Sequence, residues 1–256
     1  DLRWEYLEGD GDFRSEEVTK LRDEADIIIT NPPFSLFREF FCWIIDANKL
    51  FVVIGNQNAI TYKEIFPKIK DNIIWLGASI HSGDREFMVP ASYEVRSASV
   101  RYDEQGNKYL RVPGVRWFTN IEYGLRHTPI QLMTVADNIK YSKHKEIRGI
   151  GYHEYANYKA IDVAYGDAIP SDYEGIMGVP ITFLDKYCPE QFEIIWRSHD
   201  MEWAESHPDF FIRPSEEVAE RIKLVDRTWR MQIPFFLDKN GKHQNVYQRV
   251  FIRKKH

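Results

Sequence analysis

The hydrophobic pattern of residues 1–83 alternates between short apolar runs and amphipathic stretches. The apolar runs predict β-strands at Trp4–Leu7, Asp26–Thr30, Leu50–Ile54 and Ile73–Leu76. The stretches between them predict a helix that follows an N-cap at Ser15, and helices at Ser35–Asn48 and Tyr62–Ile69. This alternation is typical of a parallel α/β sheet with right-handed crossovers, and the run at Asp26–Thr30 has the composition of a strand buried on both faces.

After residue 83 the helical pattern weakens. A turn-forming segment lies between Ser97–Tyr102 and Tyr109–Val112 and predicts a hairpin, while Trp117–Ile121 predicts a late strand of the first sheet. Near the end of the chain, Ile233–Leu237 and Val246–Ile252 flank another turn-forming segment and predict a second hairpin. We place a boundary near residue 135, between an α/β region at 1–135 and an α+β region at 136–256.

Composition excludes several classes of protein. The chain is 43% hydrophobic and 14% aromatic, which excludes a disordered protein. Its length of 256 residues fits one large domain or a domain with a substantial appendage. No run of apolar residues is long enough to span a membrane, and no signal peptide opens the chain. Two cysteines, Cys42 and Cys188, are too few for a disulfide framework and fit a reducing cytoplasm. His81, His153 and His199 lack ligand-like spacing, so we expect no metal.

Charge is distributed unevenly along the chain. The formal net charge is −5, but residues 1–46 hold twelve acidic and five basic residues, so the remainder is slightly basic. Lys140, Lys143 and Lys145 form a basic segment with Arg148 close by, and a second basic group ends the chain at residues 249–255. Such clusters either contact phosphates or form an ordinary solvated surface, and the sequence alone leaves both interpretations open.

The segment with the clearest chemistry follows the second predicted strand and reads Asn31-Pro32-Pro33-Phe34. Two prolines fix the backbone and remove two N–H donors, and the residue before a proline favours an extended conformation. Ligands of open α/β sheets bind outside the carboxyl ends of the strands. The loop therefore presents acceptors, the Asn31 side-chain oxygen and nearby carbonyls, next to the flat ring of Phe34.

An acceptor pair beside a ring suits a planar amine with two N–H donors, such as N6 of adenine. Hydrogen bonds to the Asn31 oxygen and the Pro32 carbonyl would favour a pyramidal nitrogen and free its lone pair for attack. Preorganised acceptors of this kind contribute roughly 3–4 kcal/mol each, and orientation of the reactants roughly 7–11 kcal/mol more. The competing interpretation, a simple turn after a core strand, is weakened by a second motif upstream.

That second motif is Asp12-Phe13, and with Asn31–Phe34 it resembles motifs III and IV of the amino-group DNA methyltransferases that use S-adenosylmethionine. The resemblance implies a Rossmann-like methyltransferase sheet followed by a C-terminal α+β recognition region. It also implies that Asp12 and Phe13, with Asn31, bind the cofactor: Asp12 would accept from the cofactor's adenine amine and Phe13 would pack on its ring. Catalysis would fall to Asn31, Pro32, Pro33 and Phe34.

The wider context is similar to the EcoRI-type adenine-specific methyltransferases. The matching segments are Gly9–Ser15, Asn31–Phe37, Gly55–Tyr62, Trp75–Gly77, Trp117–Asn120 and Gly178–Asp185. The resemblance implies a bacterial or phage enzyme that methylates a flipped-out adenine in double-stranded DNA at a specific site. In a restriction–modification system, a cognate restriction endonuclease would act on the same site. Residues 1–135 would then be the catalytic core and 136–256 the target-recognition region.

One part of the family pattern is expected to be missing. The cofactor loop of motif I, with its strand, should precede motif III, but only eleven residues precede Asp12. A chain without this loop would hold half a cofactor pocket and bind S-adenosylmethionine weakly or not at all. A catalytically inert DNA-binding fragment is therefore an alternative function. Asn-Pro-Pro loops also serve methylation of RNA adenines and protein glutamines, which is another alternative.

Three polar residues after the strand at Leu50–Ile54 are further candidates. Asn56, Gln57 and Asn58 would lie at the same sheet edge as Asn31 and could contact DNA or the flipped base; capping of the next helix is an equally good interpretation. Trp117 or Phe118 could stack on the target base, although at least one of them should pack in the core.

Overall fold

The computed structural model describes residues 6–78, 85–94, 100–238 and 240–255. The chain forms two compact units, Asp1–Tyr123 and Gly124–His256, which we call the N-terminal and C-terminal units. The functional division proposed near residue 135 remains a prediction. Within the described ranges, no helix combines the length and hydrophobicity that a bilayer crossing requires.

The described residues of the N-terminal unit form two sheets and three α-helices. In chain order its elements are α1 (Glu16–Glu24), β1 (Ile27–Thr30), α2 (Phe37–Asp46), β2 (Leu50–Asn56), α3 (Phe66–Lys70), β3 (Trp75–Leu76), β4 (Arg85–Val89), β5 (Val100–Tyr102), β6 (Lys108–Val112) and β7 (Val115–Thr119). The main sheet has the order β1-β2-β7-β3; β1 pairs with β2 in parallel, and β7 runs antiparallel to both β2 and β3. β4, β6 and β5 form a separate antiparallel sheet. This mixed α/β architecture confirms in outline the strands predicted at Asp26–Thr30, Leu50–Ile54, Ile73–Leu76 and Trp117–Ile121, and the predicted hairpin. The antiparallel β7 departs from the predicted parallel sheet.

Helix α2 packs its aromatic side on the main sheet. The buried ring of Phe41 lies 5.4 Å from the ring of Phe51 and 5.6 Å from that of Phe118, measured between centroids. At Gly55 in β2, a Cβ atom would lie only 2.4 Å from the ring of Phe37, so glycine is needed for this close approach. The first turn of α2 is therefore fixed on the sheet next to the end of β1.

Three local predictions for this unit are wrong. β1 is an edge strand and is not buried on both faces: β2 is the only strand that pairs with it in the described part of the chain, and Ile29 is 73% exposed. Tyr6 and Leu7 are not in a strand, while Trp4 and Glu5 lie outside the described residues. Helix α3 begins later than predicted, because residues 62–65 form a turn before it.

The other predictions here hold in outline. Ser15 caps α1 by accepting a hydrogen bond from the Val18 N–H at 3.2 Å. The helix predicted at Ser35–Asn48 consists of a 3-10 helix, Phe34–Leu36, followed by α2. His81 and the start of the segment Ser97–Tyr102 lie outside the described residues.

The C-terminal unit is built around a five-stranded sheet. Its elements are α4 (Val135–Tyr141), β8 (His153–Glu154), β9 (Ala160–Asp162), β10 (Ile176–Pro180), β11 (Phe192–Arg197), α5 (Met201–Ser206), α6 (Glu216–Val225), β12 (Phe235–Leu237), β13 (His243–Asn245) and β14 (Arg249–Lys254). The sheet order is β11-β14-β10-β9-β8. The hairpin predicted between Ile233–Leu237 and Val246–Ile252 is wrong in its second strand: β12 pairs with β13, whereas β14 lies between β10 and β11, where its apolar run is buried.

A buried ion pair crosses this sheet. The Arg249 guanidinium donates to the Asp162 carboxylate at 2.8 Å, and the Tyr155 hydroxyl donates to the same carboxylate at 2.5 Å. Burial raises the pKa of Tyr155 well above its ordinary value, so its hydroxyl stays a donor. Arg249, part of the basic group at the end of the chain, is therefore a core residue and not part of a solvated surface.

Candidate active site at the end of strand β1

The Asn-Pro-Pro-Phe loop leaves the carboxyl end of β1 and leads into α2. Asn31 and Pro33 are exposed, Pro32 is buried, and Phe34 is 41% exposed. The Pro33 carbonyl accepts a hydrogen bond from the Leu36 N–H at 3.0 Å, which starts the 3-10 helix. With β1 before it and the packed ring of Phe37 after it, the loop presents an amide and an aromatic ring on a stiff support.

The residues after β2 lie at the same edge of the sheet, because β1 and β2 are parallel. The Asn56 side-chain oxygen accepts from the Asn58 N–H at 2.9 Å and caps the 3-10 helix that follows. The Gln57 N–H donates to the Gly114 carbonyl, just before β7. Asn58 is exposed and its carbonyl accepts from the Thr61 hydroxyl at 2.8 Å. The Asn56 side chain thus stabilises the start of the 3-10 helix. DNA contact by Asn56, Gln57 and Asn58 remains a prediction.

Asp12 and Phe13 are connected to the same helix. The Arg14 side chain donates to the Asp12 carboxylate at 2.6 Å, and this hydrogen bond helps lower the pKa of Asp12 to about 2. Phe13 is buried, with its ring centroid 5.2 Å from that of Phe40 and 5.5 Å from that of Trp43 on α2. The upstream motif is therefore anchored to the helix that begins after Asn31–Phe34.

This geometry allows a partial test of the implied cofactor. The Asp12 carboxylate is ionised and about one third exposed, so it is an acceptor that suits the N–H and O–H donors of a nucleoside. Asn31 is exposed and fits the same kind of ligand. The ring of Phe13, in contrast, packs against α2 and anchors Asp12. Asp12 and Asn31 fit S-adenosylmethionine as acceptors, and stacking of Phe13 on the cofactor stays a prediction.

A cavity of about 420 Å³ opens beside Phe34, a volume within the range of small-ligand sites. Phe34, Arg38 and Cys42 line one side of it, and Tyr62 and Glu64 the other. The Arg38 guanidinium lies 4.6 Å from the centre of the Tyr62 ring, and its Nε lies 3.5 Å from Glu64 Oε2. Sequence reasoning missed this wall, although the four-residue spacing of Phe34, Arg38 and Cys42 is a signal for one helical face.

The predicted basic segment surrounds the end of α4 in the C-terminal unit. Lys140, Lys143 and Lys145 are all exposed. Lys143 pairs with Asp167 at 2.7 Å, whereas the Lys140 ammonium lies 4.8 Å from the ring centre of its neighbour Tyr141. The segment is accessible to a polyanion, but Asp167 offsets part of its charge. Phosphate binding by the three lysines remains a prediction.

Of the two aromatic candidates in β7, Phe118 is fully buried against α2 and Trp117 lines a second cavity of about 400 Å³ with Val52 and Tyr123.

No cluster of His, Cys, Asp and Glu suited to a metal ion occurs among the described residues. Cys42 and Cys188 are both free thiols, and burial raises the pKa of each.

Residues 1–255 match the family described as adenine-specific methyltransferase EcoRI. The chain belongs to this family. It is 46% identical over 187 residues to the Type II methyltransferase M.EcoRI of Escherichia coli, covering 73% of this chain and 55% of that protein. It is 36% identical over 191 residues to M.MgeORF184P of Mycoplasma genitalium and to M.MpnI of Mycoplasma pneumoniae, both Type II methyltransferases, covering 74% of this chain and 57% of each. The chain thus spans little more than half the length of these relatives, and no solved structure matches it.

Proposed function

We propose that this protein methylates N6 of adenine at a specific site in double-stranded DNA, as part of a restriction–modification system. The observation that carries the proposal is the exposed amide of Asn31 beside the exposed ring of Phe34, on a proline-stiffened loop at the carboxyl edge of the sheet. Membership of an adenine-specific methyltransferase family supports the same reaction. In that setting a cognate restriction endonuclease would act on the same DNA site, in the cytoplasm of a bacterial or phage-infected cell.

The loop acts on the amine through its acceptors. The Asn31 side-chain oxygen and the Pro32 carbonyl accept the two N–H bonds of N6, which draws the lone pair away from the ring. N6 then forms a bond to a methyl carbon while the bond from that carbon to its leaving group breaks, and the nitrogen releases one proton to solvent. Because the amine attacks as a neutral nucleophile, an uncharged amide suffices and no general base is needed before attack.

The cavity beside Phe34 receives the flipped adenine in this proposal. The base would stack on Phe34, with Tyr62 on the opposite side and Arg38 beside the Tyr62 ring. A duplex hides N6 inside the base stack, so the target nucleotide must leave the helix before reaction. Burial raises the pKa of the Cys42 thiol, so on the Phe34 side of the cavity this thiol is uncharged near neutral pH.

S-adenosylmethionine, when bound, would supply an electrophilic methyl group. Asp12 would hold it as an ionised acceptor, and Asn31 would lie between cofactor and base. We also propose that the order β1-β2-β7-β3 is one half of a Rossmann-like methyltransferase sheet, whose other half would pair along the exposed edge of β1.

The test is transfer of a labelled methyl group from S-adenosylmethionine to three acceptors: duplex DNA, RNA and protein. We expect label in duplex DNA, recovered as N6-methyladenine after digestion to nucleosides. Label confined to RNA or protein would refute the DNA substrate. DNA binding with no label in any acceptor would support an inert DNA-binding protein and refute the proposed activity.

A further inference from the structure

The small antiparallel sheet of the N-terminal unit, β4-β6-β5, has no role in the reaction described above. We call its described residues, 85–94 and 100–112, the β-arm. Its strands follow β3 and precede β7, and its root is held by the hydrogen bond from the Gln57 N–H to the Gly114 carbonyl. β7 pairs its first residue, Val115, with Asn56 at the end of β2. The β-arm therefore returns to the same sheet edge that carries Asn31.

The two faces of the β-arm differ in chemistry. The strand register places Glu86, Met88, Arg101, Tyr109 and Arg111 on one side, which we call the Met88 face. Here Arg101 pairs with Glu86 at 2.8 Å and lies 4.5 Å from the ring centre of Tyr109. The polar groups of this face are thus engaged with one another.

The opposite side, the Phe87 face, carries Arg85, Phe87, Val89, Val100, Tyr102, Lys108, Leu110 and Val112. Phe87 is 49% exposed and Tyr102 is 61% exposed. Among these strand residues the only charged side chains are two bases, Arg85 and Lys108. An aromatic and apolar surface with basic residues and no acidic strand residue is complementary to a nucleic acid.

We propose that the Phe87 face of the β-arm is a contact surface for duplex DNA beside the target adenine; this inference rests on the proposed function. Two adjacent strands of this sheet, spaced by about 4.8 Å, form a ribbon of the kind that the major groove, about 12 Å wide, admits. The turn between β5 and β6 carries Asp103 and Glu104. If this turn entered the groove first, the two carboxylates would lie near the DNA phosphates and be repelled by them. The flat face is therefore the side that meets DNA.

The test compares adjacent residues of β4 that point to opposite faces. Phe87→Ala removes the proposed contact, and Met88→Ala is the matched control, since Met88 is 67% exposed on the other face. Binding is measured by fluorescence anisotropy with a short labelled duplex pool of randomised central sequence. We expect Phe87→Ala to weaken binding about tenfold, through loss of an apolar contact with base edges in the groove, and Met88→Ala to leave it unchanged. Equal effects of the two substitutions, or no effect of Phe87→Ala, would overturn the inference.

Substitutions at a second position, Lys108, distinguish the loss of a DNA contact from a folding defect. Lys108→Gln should reduce the slope of log affinity against log salt by about 1, and Lys108→Arg should restore it, because the charge and not the packing is at issue. If Lys108→Gln leaves the slope unchanged, the inference fails. Methyl transfer by the unsubstituted protein is measured in parallel. Face-specific binding without methyl transfer would refute the proposed function alone, whereas methyl transfer with equal binding by Phe87→Ala and Met88→Ala would refute the β-arm contact alone.

Discussion

Strand β14 offers a direct comparison of a buried and an exposed ion pair. The Arg249–Asp162 pair has side chains only 9% and 8% exposed, whereas the Arg253–Glu193 pair, at 3.0 Å, has side chains 48% and 49% exposed. Unit charges about 4 Å apart attract by about 4 kcal/mol at an effective dielectric constant of about 20, but by only about 1 kcal/mol in water. Asp162→Asn keeps the side-chain shape and leaves the Arg249 guanidinium buried without its counter-ion. We expect a loss of about 3–5 kcal/mol, against less than about 1 kcal/mol for Glu193→Gln.

Hydrogen exchange measured on peptides from β10 and β14 suits this comparison, since two compact units need not unfold together. Exchange that requires opening of this sheet should accelerate by about two hundredfold to five thousandfold in Asp162→Asn and little in Glu193→Gln. Combining Asp162→Asn with Arg249→Met should recover part of the loss, because the unpaired buried charge is then removed. Similar exchange rates in Asp162→Asn and Glu193→Gln would refute the reasoning.

Three further predictions concern packing, pH and salt. Gly55→Ala forces the Phe37 ring off β2 and should cost about 1–3 kcal/mol in thermal unfolding, whereas Gly124→Ala, with no atom within 4 Å of the new Cβ, should be nearly neutral. Burial lowers the pKa of His199 from 6.5 to about 4, so the unfolded chain binds more protons between these values. The free energy of unfolding should therefore fall by up to about 3 kcal/mol as the pH drops from 6.5 to about 4. His199→Asn should remove this part of the pH dependence, and asparagine tolerates the backbone φ of 67° at this position. In salt titrations of DNA binding, Lys145→Ala should lower the slope of log affinity against log salt concentration by about 1. Lys143→Ala should lower it by less, because Asp167 already pairs with Lys143. Equal changes of slope in the two variants would contradict this prediction.

The sequence predicted the main sheet well where local pattern and burial agree. The run Leu50–Ile54 lies in β2, and Trp117–Thr119 lies in β7 of the same sheet, as expected. The burial of Ile27–Thr30 was predicted wrongly, because an apolar composition does not reveal whether another layer packs on each face of the strand. The partner of Val246–Ile252 was also wrong, since a turn-forming sequence favours the nearest strand and cannot report long-range pairing with β10 and β11.

In the candidate site, too, the features set by local sequence were predicted, whereas those set by contacts between distant residues were not. Proline chemistry alone predicts a rigid loop at Asn31–Phe34, and the structure places that loop at the end of β1. The cavity wall at Tyr62 and Glu64 could not be predicted, because these residues meet Phe34 only through the packing of α2 beside the β2–α3 connection. The burial of Arg249 likewise depends on Asp162, a partner distant in sequence that charge patterning cannot identify.

The central claim, that Asn31 activates the adenine amine, is tested most directly by single-turnover methyl transfer to duplex DNA with Asn31→Ala. Asn31 is exposed, so this substitution should leave the fold and DNA affinity intact while the rate constant falls about 10²–10³-fold, the usual loss for one preorganised polar group. Glu24→Gln, an exposed change on α1 outside the cavity, should keep the full rate and serves as the control. An Asn31→Ala protein that transfers the methyl group as fast as the Glu24→Gln protein would contradict the account.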